Sequence, residues 1–93
     1  PINGDYSFGT KDGVYYLVEL KTGEKVDLEG VDKAFPLSIK NEDENSTELA
    51  LVVRKDQAWY MIDTKGETIY TFEQTELTEN SKLTLKDNKL QVE

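Results

Sequence analysis

The fold is decided by Lys11-Asp12-Gly13-Val14-Tyr15-Tyr16-Leu17-Val18-Glu19, a stretch that recurs 44 residues later as Lys55-Asp56-Gln57-Ala58-Trp59-Tyr60-Met61-Ile62-Asp63. In each copy, apolar and aromatic side chains occupy both alternating sets of positions, as they do in a strand that is buried on two faces. A recurrence of this length is typical of architectures that use one supersecondary unit more than once. The two stretches therefore predict central β-strands of two related hairpins.

Turn signals follow both strands and complete the hairpins. Thr22-Gly23-Glu24 follows the first copy, and Lys65-Gly66-Glu67 follows the second. A short connection between antiparallel strands needs a positive φ, which glycine adopts without steric cost. The alternating segment 49–53 predicts a further strand, and the pair Asp87-Asn88 predicts a third hairpin over 83–92. We expect seven or eight short strands in all.

The remaining segments offer little helix. Single helical turns are predicted at Val31–Phe35, where Pro36 ends the pattern, and at Thr75–Asn80. The segment Asn41–Thr47 is polar and carries three consecutive acidic residues. It is predicted to be an exposed loop.

These patterns predict one all-β domain over residues 1–93, built from two repeat units at about 11–54 and 55–93. The expected architecture is an antiparallel meander of repeated hairpins that forms a small sandwich or open barrel. The period also fits a propeller blade, but a closed propeller needs roughly four to eight blades. The sandwich is therefore preferred.

Composition excludes much enzyme chemistry. The 93 residues include 11 lysines and arginines, 19 acidic residues, and neither cysteine nor histidine, for a net charge of -8. Most zinc sites, thiol chemistry and histidine-activated nucleophiles are thereby excluded. The negative charge disfavours nucleic acid, because phosphate binding depends on lysine and arginine. The longest apolar stretch, Leu49–Val53, is far shorter than the roughly 20 residues that span a bilayer, so no membrane insertion is predicted.

Three short segments around the second copy follow one pattern. They are Leu49-Ala50-Leu51-Val52, then Trp59-Tyr60-Met61-Ile62-Asp63, then Lys65-Gly66-Glu67-Thr68-Ile69. In this order they resemble the WG repeat, a bacterial motif with a Leu-Ala-x-Val strand, a Trp-Gly-Tyr-Ile-Asp strand and a Lys-Gly turn, although Tyr60 stands where the motif has glycine. The resemblance implies an array of β-hairpins that serves as a binding or spacing module in bacterial, often envelope-associated, proteins. It implies no established catalytic residues.

Aromatic side chains are the strongest candidates for a binding site. Tyr15, Trp59, Tyr60 and Tyr70 are the candidate residues, because flat rings exposed on a sheet stack on sugars in many carbohydrate-binding modules. The alternative is that the rings form the core, since an aromatic side chain buries about 150 to 250 Å² and other large apolar residues are scarce. The core interpretation is favoured. The exposure of Trp59, and of Tyr15 at the equivalent position, decides between the two.

Acidic residues offer weaker candidates. Glu42, Asp43 and Glu44 could supply oxygen ligands to calcium, but their spacing does not follow the EF-hand series, and a solvated loop is favoured. Asp63 and Glu19 occupy equivalent strand ends and are predicted to hydrogen-bond amides of the glycine turns. No pair of carboxylates stands out as glycosidase machinery. The sequence therefore predicts no catalytic residue, no metal ligand and no cofactor.

These observations predict a non-catalytic binding or structural module of a larger bacterial protein. Its partners are expected to be other proteins or neighbouring repeats of the parent protein, and the resemblance favours the cell envelope or secretion. The alternative is a carbohydrate-binding module that uses exposed aromatics, with polysaccharide as ligand. The terminal hairpin 83–92 is apolar on one face and is expected to offer an unpaired edge to a partner strand.

Overall fold

The computed structural model describes residues 5–93, which form nine β-strands and no helix. The all-β prediction is confirmed, with nine strands rather than seven or eight. In chain order the strands are β1 (Tyr6–Lys11), β2 (Val14–Glu19), β3 (Lys25–Leu28), β4 (Val31–Asn41), β5 (Ser46–Lys55), β6 (Ala58–Ile62), β7 (Thr68–Thr71), β8 (Leu83–Lys86) and β9 (Lys89–Val92). Across these residues no helix is long and apolar enough to cross a bilayer.

The nine strands form two sheets. Strands β1, β2 and β3 make a three-stranded antiparallel sheet in chain order. The other six strands lie in the order β7-β6-β5-β4-β8-β9 and curl into a half-barrel. Neighbours in this second sheet are antiparallel except β4 and β8, which pair in parallel over Ile39–Asn41 and Leu83–Leu85. The expected meander is therefore interrupted once, between β7 and β8.

Strand β5 lies inside the six-stranded sheet and is buried on both faces. Leu51 and Val53 point toward the three-stranded sheet, whereas Ala50 and Val52 point to the opposite face. The intersheet core, between the two sheets, consists of Leu17, Leu28, Leu51, Val53 and Ile62. The crossover core, on the other face, consists of Leu37, Ala50, Val52, Trp59, Met61, Phe72, Leu77 and Leu83.

The crossover segment, residues 72–82, covers the second of these cores. It leads from β7 at one edge of the six-stranded sheet to β8 beyond β4, so it must pass across the face of the sheet. The Trp59 indole Nε1–H donates to the Thr75 carbonyl at 3.2 Å, and Leu77 is 4% exposed. The helical turn predicted at Thr75–Asn80 is wrong, because the segment's polar groups bond to Trp59 and to the local Thr78–Ser81 turn.

The helical turn predicted at Val31–Phe35 is also wrong, because these residues begin β4. A bulge at the start of β4 leaves Asp32 outside the pairing register. Because of this bulge, Val31 and Ala34 both pack against the intersheet core although they are three positions apart. A separation of three residues on one face is also the spacing of a helix. Pro36 lies within the strand, where β4 pairs with β5 on one side and β8 has not yet begun on the other. A proline is tolerated at such an edge position because no partner needs its missing N–H.

The predicted turns are confirmed by their backbone angles. Gly23 and Gly66 have φ values of 76° and 86°. Asp87 and Asn88, at 52° and 64°, form the two-residue connection between β8 and β9. Positive φ at both central residues is the geometry that matches the twist of a two-residue hairpin.

The strand-end prediction holds for Asp63, whose Oδ1 accepts the N–H groups of Lys65 and Glu67, each at 2.9 Å. In the first hairpin the Thr22 hydroxyl accepts from Glu24 instead, and the Glu19 backbone carbonyl accepts from Gly23. The side-chain role predicted for Glu19 is therefore taken by Thr22.

The prediction that a strand is buried on both faces is correct for β6 and wrong for β2. Leu17 of β2 is in the intersheet core, but the opposite face of that strand is only half-buried within the described part of the chain. There the Tyr16 ring lies across Gly9, where a Cβ would come within 2.4 Å of the ring. The Lys25 ammonium lies 5.0 Å from the centroid of the same ring. Side chains of the sheet itself therefore shield this face, in place of a further layer.

The crossover segment generates a stability prediction. Replacing Leu77 by alanine should reduce the free energy of unfolding by about 2 to 5 kcal/mol, since it opens a cavity in the crossover core. Urea unfolding followed by Trp59 fluorescence measures the loss. Gln74→Ala, on the exposed side of the same segment, is the matched control and should stay within about 0.5 kcal/mol of the parent chain. Equal losses in the two variants would contradict the role assigned to Leu77.

Candidate functional site

An open groove of about 560 Å³ separates the edge strand β3 from the six-stranded sheet. Its floor is apolar and is formed by side chains of Val26, Leu28, Val31, Val53, Tyr60 and Ile62. Its rim is charged and mixed in sign, with Asp27, Glu29, Lys55, Asp56 and Lys65. An apolar floor with a polar rim is the usual composition of a recognition surface.

Two glycines near the groove lie in close contact with neighbouring side chains. Gly66 has a positive φ, and a Cβ there would lie 3.2 Å from Val26 Cγ1 and 3.3 Å from Leu28 Cδ2. The β6–β7 turn therefore rests directly on β3. At Gly30 a Cβ would lie 3.1 Å from Cε of Lys55, so the lysine stem passes close over the β3–β4 turn. Both contacts join the two sheets beside the groove.

Strand β7 runs from the groove along the edge of the six-stranded sheet. Thr68, its first residue, lines the groove, and all four of its residues are exposed. β7 pairs with β6 on one side, and no strand of residues 5–93 pairs with its other side. Ile69 is 55% exposed and Tyr70 is 38% exposed. A strand edge with apolar side chains is an unpaired template for another strand.

The free backbone groups of β7 follow from its pairing with β6. Phe72 N–H donates to the Trp59 carbonyl at 3.0 Å, so Phe72 faces β6. In an antiparallel pair, successive residues face the partner and the outside in turn. The N–H and C=O of Thr71 therefore point away from the sheet. The bulge at Ile69, between Thr68 and Tyr70, ends this regular alternation toward the start of β7.

Negative charge predominates along β7 and the crossover segment. Residues 66–81 contain no lysine or arginine and four exposed glutamates, which are Glu67, Glu73, Glu76 and Glu79. Ion pairs of the described residues lie elsewhere, between Lys21 and Asp5 at 3.1 Å and between Arg54 and Asp32 at 3.8 Å. Residues 66–81 therefore carry negative charge with no lysine or arginine of their own.

The structure does not gather the four predicted aromatic residues into one surface. Trp59 is 1% exposed, and its ring packs 5.4 Å from that of Phe35 in the crossover core, so the role as an exposed platform is wrong for this residue. Tyr15 packs half-buried against the intersheet core. Tyr60 packs there too and lines the groove. Tyr70 lies on the opposite face of the six-stranded sheet, with its ring against that of Phe72.

The acidic loop is shorter than predicted and is used by the fold. Strands β4 and β5 extend to Asn41 and from Ser46, so the connection is Glu42–Asn45, and Asn41 itself is buried. The Asn41 amide donates to Glu44 Oε2 at 3.0 Å, and its Oδ1 accepts the Glu44 N–H at 3.1 Å. Among the residues that the structure describes, no group of three or more acidic side chains is placed to hold a metal ion.

Asp43 joins this loop to the turn between β8 and β9. Its two carboxylate oxygens accept the N–H groups of Asp87 at 2.8 Å and of Asn88 at 3.0 Å. These hydrogen bonds favour the charged carboxylate, so they lower the pKa of Asp43 below its ordinary value of 3.8. We call these two hydrogen bonds, which join the β4–β5 and β8–β9 turns, the clasp.

Comparison with known proteins identifies no relative. No family model matches the chain, and neither a curated protein nor a solved structure matches it. The resemblance to the WG repeat therefore stays a prediction.

The sequence did not predict the exposed edge at Thr71 or the hydrogen bonds of Asp43 to the β8–β9 turn. The prediction placed the exposed edge at the terminal hairpin, although β7 offers an equally free edge with larger exposed apolar side chains. Residues 66–81 contain no lysine or arginine, and this feature of the sequence could have distinguished the β7 region from the rest of the chain. The role of Asp43 had no such signal, because its partners lie 44 and 45 residues away along the chain.

The clasp predicts a pH dependence. The folded-state pKa of Asp43 is depressed, so the stabilisation that it provides is complete above the unfolded value of 3.8 and is lost as pH falls through the folded value. In a ¹⁵N–¹H NMR titration, the amide signals of Asp87 and Asn88 should move together with a midpoint below 3.8. A midpoint at or above 3.8 would contradict the clasp. Asp43→Ala should abolish the transition and speed exchange of both amides, whereas Glu42→Ala should leave it in place.

Proposed function

We propose that the chain is a non-catalytic interaction module that binds an extended polypeptide segment along β7. The observation that carries the proposal is the unpaired edge of β7, with outward backbone groups at Thr71 and exposed side chains at Ile69 and Tyr70. In recognition by strand addition, main-chain hydrogen bonds provide affinity and pockets for alternate side chains provide specificity. β7 supplies the first of these elements.

The adjoining groove supplies the second element. Thr68 belongs to β7 and also lines the groove, and Thr71 lies opposite Tyr60, whose side chain forms part of the groove floor. A segment added to β7 would direct alternate side chains toward that side of the sheet. The half-buried side chains of Val26 and Tyr60 offer apolar contact there, and the mixed charges of the rim offer polar contact. Edge and groove together favour an extended polypeptide over a compact ligand.

The carbohydrate-binding alternative receives less support. It needs exposed rings that lie in roughly one plane, but Trp59 is enclosed in the crossover core. Tyr60 and Tyr70 lie on opposite faces of the six-stranded sheet. A single sugar chain could not stack on both. The location of the module in a bacterial, envelope-associated protein is retained as part of the proposal, on the resemblance to the WG repeat alone.

Substitution of Thr71 tests this proposal. Thr71→Pro removes the outward N–H without removing a hydrogen bond to β6, since proline is tolerated at edge positions of this kind. Thr71→Val keeps the N–H and the strand preference and is the matched control. Ten-residue peptides selected by display against the parent chain should bind Thr71→Pro at least tenfold more weakly and Thr71→Val within twofold, as measured by calorimetry.

The position of binding is read from NMR. The selected peptides should shift the amide signals of residues 68–71 and slow hydrogen exchange at Thr71. Peptides that bind both variants equally and leave these signals unchanged would overturn the proposal, as would failure to select any extended peptide. A parallel titration with soluble glucan and chitin oligosaccharides addresses the alternative: shifts centred on Tyr60 or Tyr70 would favour it.

A further inference from the structure

We propose that the strand received by β7 is β9 of a second copy of this chain, so that copies join edge to edge and continue the six-stranded sheet. This inference rests on the proposed function, because it names the occupant of the same edge. β7 and β9 are the two outer strands of one sheet, and within residues 5–93 each has a strand partner on one side only. Both halves of the contact are therefore present in every copy.

Strand direction permits the contact. β7, β6, β5 and β4 alternate in direction, β8 runs parallel to β4, and β9 is antiparallel to β8. β7 and β9 therefore run the same way. A second copy that continues the sheet without being turned over would place its β9 parallel to β7.

The free backbone groups of the two edges are in phase. Lys82 and Glu93 exchange hydrogen bonds at 2.9 and 3.0 Å across the β8–β9 pair. By alternation, Leu90 and Val92 then face away from β8. In a parallel pair, one residue bonds to the two residues that flank its opposite number. With Thr71 opposite Gln91 of the second copy, the Thr71 N–H donates to the Leu90 carbonyl, and the Thr71 carbonyl accepts from the Val92 N–H.

The same register matches the side chains. Leu90 and Val92 pack, half-buried, against the crossover core of their own copy. Tyr70 lies on the corresponding face of β7, next to Phe72. The register places Tyr70 beside Leu90 and Phe72 beside Val92, so one apolar stripe would run across the junction. The exposed ring of Tyr70 thereby gains an apolar neighbour.

The two edges differ in charge. Glu67 and Glu73 flank β7, whereas residues 82–93 of the β8–β9 hairpin carry three lysines, Lys82, Lys86 and Lys89, and two acidic residues, Asp87 and Glu93. In the parallel register, Lys89 lies opposite Ile69 and two residues from the position that faces Glu67, whereas Glu73 lies opposite Glu93. A symmetric pairing of two β7 edges would instead bring glutamates of both copies together. The hairpin, with three lysines against two acidic residues, is therefore a less repulsive neighbour for β7 than a second β7 edge.

The contact joins different surfaces of the two copies, so it can propagate beyond a dimer. The net charge of -8 opposes association at long range, and four-residue strands bury little area. We therefore expect weak association that is seen at high protein concentration and moderate ionic strength, where long-range repulsion is screened.

Disulfide trapping tests the register, because the parent chain has no cysteine. Thr71→Cys and Gln91→Cys, both at exposed positions, are prepared separately and mixed at millimolar concentration in a glutathione redox buffer. A mixed disulfide between the two variants should exceed either homodimer at least tenfold, as measured by mass spectrometry. Ser7→Cys, exposed on β1 of the other sheet, replaces Thr71→Cys as the matched control and should form no excess of mixed disulfide.

Two further results decide the inference. Adding Lys89→Glu to the Gln91→Cys chain should reduce the mixed disulfide several-fold, because it places a further acidic residue near Glu67, with circular dichroism confirming the fold. Predominant Thr71→Cys homodimers, or a statistical mixture of all disulfides, would overturn the inference. So would a parent chain that stays monomeric by analytical ultracentrifugation at millimolar concentration. Peptide binding that remains sensitive to Thr71→Pro in those cases would leave the proposed function standing.

Discussion

Burial of β5 on both faces is the constraint on which the rest of the structure depends. A strand with Leu51 and Val53 on one face and Ala50 and Val52 on the other leaves apolar surface exposed unless two separate layers cover it. The three-stranded sheet supplies one layer. The crossover segment supplies the other, held by the hydrogen bond from Trp59 to Thr75 and by the side chain of Leu77. The crossover segment takes the chain from one edge of the sheet to the other, so within residues 5–93 no strand pairs with the outer side of β7.

Local features of the fold could be predicted because local chemistry determines them. A turn that requires positive φ selects residues such as Gly66 or Asn88 wherever it occurs. Alternation of apolar residues identified β6 as a strand covered on two faces. The helical turn expected at Val31 failed because the bulge at Asp32 shifts the register and produces helix-like spacing within a strand. A pattern of spacing cannot distinguish a helix from a bulged strand over so few residues.

The pairing of distant segments could not be predicted in the same way. The parallel contact of β4 with β8 and the clasp of Asp43 on Asn88 join residues that are far apart in sequence, and composition specifies neither. The candidate site could not be predicted for the same reason. Whether β7 has a free edge depends on which distant strands pair with their neighbours in the sheet. The aromatic residues were predicted to bind a ligand because their rings can stack on sugars, but Trp59 is a core residue. The residues that matter most at the edge, such as Thr71, contribute through their backbone.

The late position of β8 in the chain has a consequence for synthesis. β4 is complete at Asn41, yet its parallel partner begins at Leu83, after the crossover segment has been made. A nascent chain that ends before residue 72 contains every strand of the intersheet core but lacks the cover over Trp59. The face of the sheet that carries the Trp59 indole would be exposed to solvent until residues 72–83 leave the ribosome. Synthesis of residues 72–83, rather than formation of the first hairpins, therefore sets the moment at which water is excluded from the second face of the sheet. Contacts of such high sequence separation form slowly.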